Sequence, residues 1–149
     1  MKKASSNLLL LDLNVLLALA WPNHQFHAAA TKRLGTGDRW ATCALTQIGF
    51  IRLSSNPAAV QATKTPWEAA ILLAEMVSDP LHVYVESLPQ PVGTEFLPAF
   101  EKLMGSKQVM DTYLLNLAGL HKATFVTFDA RLRELAGSAV KVEVMGAVE

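Results

Sequence analysis

Leu8-Leu9-Leu10-Leu11 is apolar on both faces of an extended chain, and Asp12 closes it. A strand of that kind has no face to offer to water. It belongs inside a sheet covered by helices on both sides, the setting of a parallel sheet. Beyond Asp12 a helical pattern begins, in which Asn14 can cap a short helix over 15–20 before Trp21-Pro22-Asn23 breaks it. A buried strand that ends in an acid and runs into a helix is half of a βαβ unit.

The rest of the chain repeats this alternation. A second helix is expected over 25–34, carrying His24 and His27 near its start and ending at Gly35-Thr36-Gly37-Asp38. A short strand follows over 39–42, then a helix over 45–53 with Leu45, Ile48 and Phe50 inward. Pro66 opens another helix, which Asp79-Pro80 closes. Strands are expected over 81–85 and 124–128, with an edge strand over 140–144, and helices over 94–104, 111–121 and 131–135. The implied class is α/β, a three-layer α/β/α sandwich with a central parallel sheet of about five strands. Residues 1–149 form one domain, long enough to bury a sizeable core without staples. The proline-bearing stretch 87–93 reads as a surface loop.

Three of the five aspartates, Asp12, Asp111 and Asp129, sit at the edges of apolar runs. In open α/β sheets the ligand crevice lies outside the carboxyl ends of the strands, where strand order reverses. If the strands ending in Asp12 and Asp129 are neighbours there, with Asp111 at a helix start beside them, three carboxylates converge. They would repel and raise one another's pKa unless a cation neutralised them. Oxygen ligands of that number suit Mg²⁺, which binds through a few carboxylates and substrate phosphates. The competing reading is that each aspartate is a helix cap, because Asp accepts a bond from an orphan backbone N–H.

Thirteen basic and thirteen acidic residues cancel, which excludes a broad cationic footprint for nonspecific nucleic-acid binding; any RNA or DNA contact must be local. The single cysteine, Cys43, excludes an internal disulfide and a cysteine metal cluster. No stretch reads as membrane-spanning: the apolar run from Leu8 to Trp21 falls short of the roughly 20 residues a span needs and contains Asp12. Lys2-Lys3 ahead of it would suit a secretory leader, but Asp12 and Asn14 fall in the apolar region and no small-residue cleavage site follows cleanly. The expected location is the cytoplasm.

Several segments together carry a resemblance. They are Asp12-Leu13-Asn14-Val15-Leu16-Leu17-Ala18-Leu19, Trp21-Pro22-Asn23-His24, Leu45-Thr46-Gln47-Ile48-Gly49-Phe50-Ile51-Arg52 with Ser55-Asn56-Pro57, Gln108-Val109-Met110-Asp111-Thr112-Tyr113-Leu114, and Thr127-Phe128-Asp129. In this order and spacing, from about Leu8 to about Leu135, the chain resembles PIN-domain ribonucleases of the VapC toxin type. The resemblance implies adjacent first and fourth strands, an acidic pocket holding Mg²⁺ or Mn²⁺, and endonucleolytic cleavage of RNA. It also implies a homodimer, and a VapB-like antitoxin that inhibits the toxin and, in complex, binds operator DNA. Asp12 matches the family's first-strand acid, Asp111 its acid at the start of a late helix, and Asp129 its acid after the fourth strand. Asn14 matches the small polar position that supports the pocket, and Thr127 stands beside it as a second supporting residue. One match fails: most PIN nucleases carry a glutamate on the helix corresponding to 45–53, whereas Gln47 or Gly49 stands there and no carboxylate occurs between Asp38 and Glu68. A similar VapC subgroup carries the same Thr-Gln, and the Gln47 amide can orient water or RNA.

The expected chemistry is hydrolysis by water activated at a cation held by Asp12 and Asp129, with Asp111 bonding directly or through water. No Ser, Cys or His nucleophile paired with a base is evident. Arg52 and Lys107 are candidate contacts to RNA phosphates, with solvated charges as the alternative. His24 and His27 share a helical face but lack a third soft ligand, so they read as packing residues. A haloacid dehalogenase-type phosphatase would need a second aspartate where Asn14 stands. The non-enzymatic alternative is a degenerate PIN-like module that binds RNA or a partner without cutting. Trp21, Phe26, Trp67 and Phe96 are many large apolar side chains for a neutral chain, as an interface would require.

Overall fold

β1 (Leu8–Leu11) lies at the centre of the sheet, with Leu9, Leu10 and Leu11 no more than 2% exposed. The computed structural model describes residues 7–60 and 64–146; Lys2 and Lys3 lie outside them. Two parallel partners flank β1, namely β2 (Arg39–Cys43) and β4 (Thr124–Thr127). β3 (His82–Val85) and β5 (Val142–Val144) form the edges, and the order is β3-β2-β1-β4-β5, all parallel. The first and fourth strands are therefore neighbours. Strand order reverses at that pair, where a crevice opens at the carboxyl end.

The pleat of β1 sends alternate leucines to opposite layers. Leu9 and Leu11 join a core with α1 (Leu13–Ala20), α2 (His27–Leu34), α3 (Ala44–Ser54) and α4 (Pro66–Met76). Leu10 faces the other way, into a core with α5 (Val109–Leu120) and α6 (Leu132–Ala136). This is the expected three-layer sandwich. Full burial of a leucine contributes roughly 1.5–3 kcal/mol, so three in succession hold β1 at the centre.

Several local expectations are corrected. Asp12, not Asn14, occupies the N-cap of α1, and Asn14 lies within the helix. The expected helix over 94–104 is only a turn of 3₁₀ helix at Leu97–Phe100. Pro98 sits in the first turn of that 3₁₀ helix and would fall in the interior of a helix begun at Thr94, where its missing backbone donor and its ring break the turn. On α3 the inward face is Thr46, Gly49, Phe50 and Ser54, which turns Ile48 outward to 64% exposure. Trp21 and Phe96 fill the core instead of an interface, and Trp21 Nε1 donates to Ser54 Oγ at 3.2 Å. Trp67, by contrast, is 73% exposed. Among the described residues no helix is long and apolar enough to cross a membrane.

Candidate active site

Asp12 continues the ladder of β1, its backbone N–H donating to Val126 O at 2.9 Å, and this pins its carboxylate beside the end of β4. The residue is buried, and Thr127 Oγ1 donates to its Oδ2 at 2.7 Å. Although Asp12 stands at the N-cap of α1, its side chain makes no capping hydrogen bond. Burial holds its pKa above the usual carboxylate range, against the Thr127 hydrogen bond and the amides of Leu13 and Asn14, which lower it. Negative charge on Asp129 adds to the rise.

Asp111 is the third residue of α5, whose N-cap is Gln108, so it is not a cap either. It is half-buried, and its pKa is pushed up to about 6, first by desolvation, then by the charges of Asp12 and Asp129. Asp129 follows β4 and is held locally. Its N–H donates to Thr127 Oγ1 at 3.1 Å, while its carboxylate accepts from Arg131 Nε and Nη2 at 3.0 and 2.9 Å and from the Arg131 N–H at 3.0 Å. The Arg131 guanidinium is the main reason its pKa lies below the usual range.

The three aspartates thus feel one another's charge at the carboxyl end of the β1 and β4 pair. Among the described residues, however, no three His, Cys, Asp or Glu side chains stand ready to hold a metal ion. Arg131 engages both oxygens of Asp129. Asp12 and Asp111 have the chemistry a divalent cation would suit: oxygen donors whose pKa values are held high first by desolvation and then by neighbouring negative charge. Asp129 has both oxygens in hydrogen bonds to Arg131, so a cation there would compete with the guanidinium for its charge.

A cleft of about 540 Å³ opens over this pair, lined by Asp12, Asn14, Gly49, Arg52, Met110 and Asp111 among others. Gly49 admits the start of α1, since a Cβ there would meet Leu13 Cδ2 at 2.7 Å. Of the two residues at the place of the family glutamate, Gly49 lines the cleft and Gln47 does not. Gln47 Nε2 donates instead to Thr42 Oγ1 at 3.1 Å, and Thr42 pairs with His82 Nε2 at 2.7 Å. Thr127 lies fully buried beneath Asp12. Lys107 is in a different cleft, of about 610 Å³, which it shares with Arg131. His24 and His27 pack the chain: His24 Nδ1 accepts from the Phe26 N–H at 3.0 Å, and His27 Nδ1 lies 2.7 Å from Ala18 O.

Sequence reasoning missed Arg131. The available signal was an arginine two residues after a strand-terminal aspartate, a spacing at which an Asx-type turn brings the two side chains together.

Comparison with known proteins agrees with this architecture. The PIN domain family model matches residues 9–138. Ribonuclease VapC39 of Mycobacterium tuberculosis is 39% identical over 139 residues, covering 91% of this chain and 98% of its own. Ribonuclease VapC38 of the same organism is 35% identical over 141 residues, with 91% and 94% covered. The crystal structure of DNA-bound VapBC from Salmonella typhimurium superposes with a TM-score of 0.64 at 14% identity, over 93% of this chain and 98% of that one. FitAcB from Neisseria gonorrhoeae gives a TM-score of 0.56 at 19% identity, over 90% and 95%.

Proposed function

The chain belongs to the PIN-domain family, among the VapC proteins, and from that premise we propose that it is a metal-dependent endoribonuclease toxin. The observation that carries this reading is the pairing of buried Asp12 with half-buried Asp111 along one cleft at the reversal point of a parallel sheet, both held above the usual carboxylate range. Evolutionary kinship alone would be compatible with a protein that has lost its chemistry. Two acids kept where they resist ionisation favour a working site instead.

Asp12, Asp111 and Asp129 are the residues that would hold Mg²⁺ or Mn²⁺. The bound ion would lower the pKa of water and offset charge developing on the phosphate. Thr127 fixes the orientation of Asp12 through its hydroxyl. Asn14 and Arg52 line the cleft above the acids, where Arg52 supplies a cation to an RNA phosphate on one side. Lys107 serves the same end from the neighbouring cleft. Gln47 directs its amide N–H to Thr42 and lies outside the cleft lining, so its support to the site is indirect, through Thr42. With no carboxylate on α3, one cation is the economical number.

The partners follow from the same kinship. A VapB-like antitoxin neutralises the toxin, and operator DNA is bound only through that complex, in keeping with equal numbers of acidic and basic residues on this chain. Ile48 of α3 and Trp67 and Ile71 of α4 are exposed apolar side chains of the kind a partner surface covers. The protein acts in the cytoplasm, where RNA is within reach, and as a homodimer. The test is incubation of the protein with total RNA and Mg²⁺, with mapping of the cut ends. Discrete Mg²⁺-dependent cuts are expected. RNA binding without cleavage would favour the degenerate binding module.

A further inference from the structure

Arg131 is exposed, yet its guanidinium holds both oxygens of Asp129 by two hydrogen bonds of 3.0 and 2.9 Å. It also lies within electrostatic reach of Asp111. It also lines the cleft of about 610 Å³ with Ser106, Lys107 and Gln108, a cleft that includes Glu134. One arginine therefore stands between the acids and a second, cationic groove. Arg52 lines the other cleft, together with Asp12 and Asp111.

We propose that Arg131 is a two-position residue, holding Asp129 while no cation is bound and turning to an RNA phosphate beside Lys107 when a cation claims Asp129. This rests on the nuclease reading and adds to it a substrate-positioning residue and the side on which the RNA backbone leaves the acids. The physical case is competition for the same two oxygens. A divalent ion and a bidentate guanidinium both require the Asp129 carboxylate, so each weakens the other's hold. The exchange is cheap, because an exposed ion pair contributes little to stability. Arginine released next to a second cation meets phosphate geometry well, since its planar fork binds two phosphate oxygens at once. Lys107 and Arg131 together outweigh the single acid, Glu134, in that groove.

The competition has a thermodynamic consequence. Cation and RNA must strengthen one another's binding through Arg131, reciprocally. Arg131→Ala should then shift the two ligands in opposite directions, which a residue that merely orients Asp129 would not do.

The experiment compares wild type, Arg131→Ala and Arg131→Lys. Mn²⁺ binding without RNA is measured by calorimetry, and binding of a fluorescent single-stranded RNA by anisotropy in Ca²⁺, with the RNA confirmed intact on a gel. The exposed position of Arg131 makes loss of fold no obstacle, and thermal unfolding checks it. Arg131→Ala should bind Mn²⁺ about three- to fivefold more tightly and RNA about tenfold more weakly, with the salt dependence of RNA binding reduced by about 0.7 in slope. Arg131→Lys should share the tighter Mn²⁺ binding and keep part of the RNA affinity. Unchanged or weaker Mn²⁺ binding by Arg131→Ala, or undiminished RNA binding, would overturn the proposal. Wild type that binds neither Mn²⁺ nor RNA would instead sink the nuclease reading beneath it.

Discussion

Thr127 donates its hydroxyl to Asp12 Oδ2 at 2.7 Å, across the seam between the first and fourth strands. Thr127 Oγ1 also accepts the Asp129 N–H, at 3.1 Å. One buried hydroxyl therefore sets the position of two of the three acids, and its removal leaves both partners short of a hydrogen bond.

Thr127→Val should lower unfolding stability by about 1–3 kcal/mol, the cost of leaving buried polar groups unpaired. RNA cleavage should fall as well, because Asp12 loses the donor that orients it. Thr127→Ser should restore much of both. Urea unfolding alongside a cleavage assay checks this; a Val variant as stable and as active as wild type would remove Thr127 from the site.

The fold was legible because its signals are redundant. Leu8–Leu11 reads as a central strand from its residues alone, whereas the adjacency of the first and fourth strands, which brings Asp12 and Asp129 together, comes from the resemblance to PIN-domain ribonucleases. Asp111 was legible as a helix-start acid. What the sequence withheld depends on side-chain direction. Gln47 and Gly49 are two residues apart on one helix, and only the packing of Gly49 against Leu13 decides which faces the cleft. Arg131 was hidden because its role lies in a local turn that periodicity does not report, and Trp21 and Phe96 because an apolar side chain says nothing of which apolar neighbour it meets.

The pH dependence of the metal-free protein should carry the mark of Asp111. Its folded pKa is raised from 3.8 to about 6, so over that window the native state binds more protons than the unfolded chain. Stability from this group is present at low pH and lost as pH rises through about 6. Thermal unfolding in EDTA should show Asp111→Asn gaining on wild type between these values, with the difference levelling above them. A difference that does not change with pH would contradict the assignment.

Asp12→Asn should leave the metal-free fold as stable as wild type, or slightly more so, because it removes one of three mutually repelling charges. Asparagine also occupies an N-cap as well as aspartate does. Mg²⁺ should raise the melting temperature of wild type and raise it much less in the variant, since only a bound ligand shifts the folding equilibrium. Equal Mg²⁺ stabilisation of both would make Asp12 a structural residue.

In solution the protein should be a homodimer. Light scattering at tens of micromolar gives the mass directly, and a monomer there would leave the exposed apolar side chains of α3 and α4 to the antitoxin alone.

The most direct test of the account is cleavage of a single-stranded RNA by wild type, Asp12→Asn, Asp111→Asn and Asp129→Asn, each with Mg²⁺ and with EDTA. Wild type should cut in Mg²⁺ and not in EDTA, and each variant should lose at least about a hundredfold, the scale on which a lost electrostatic contact to the transition state is felt. Undiminished cutting by Asp12→Asn, or cutting that persists in EDTA, would contradict the account.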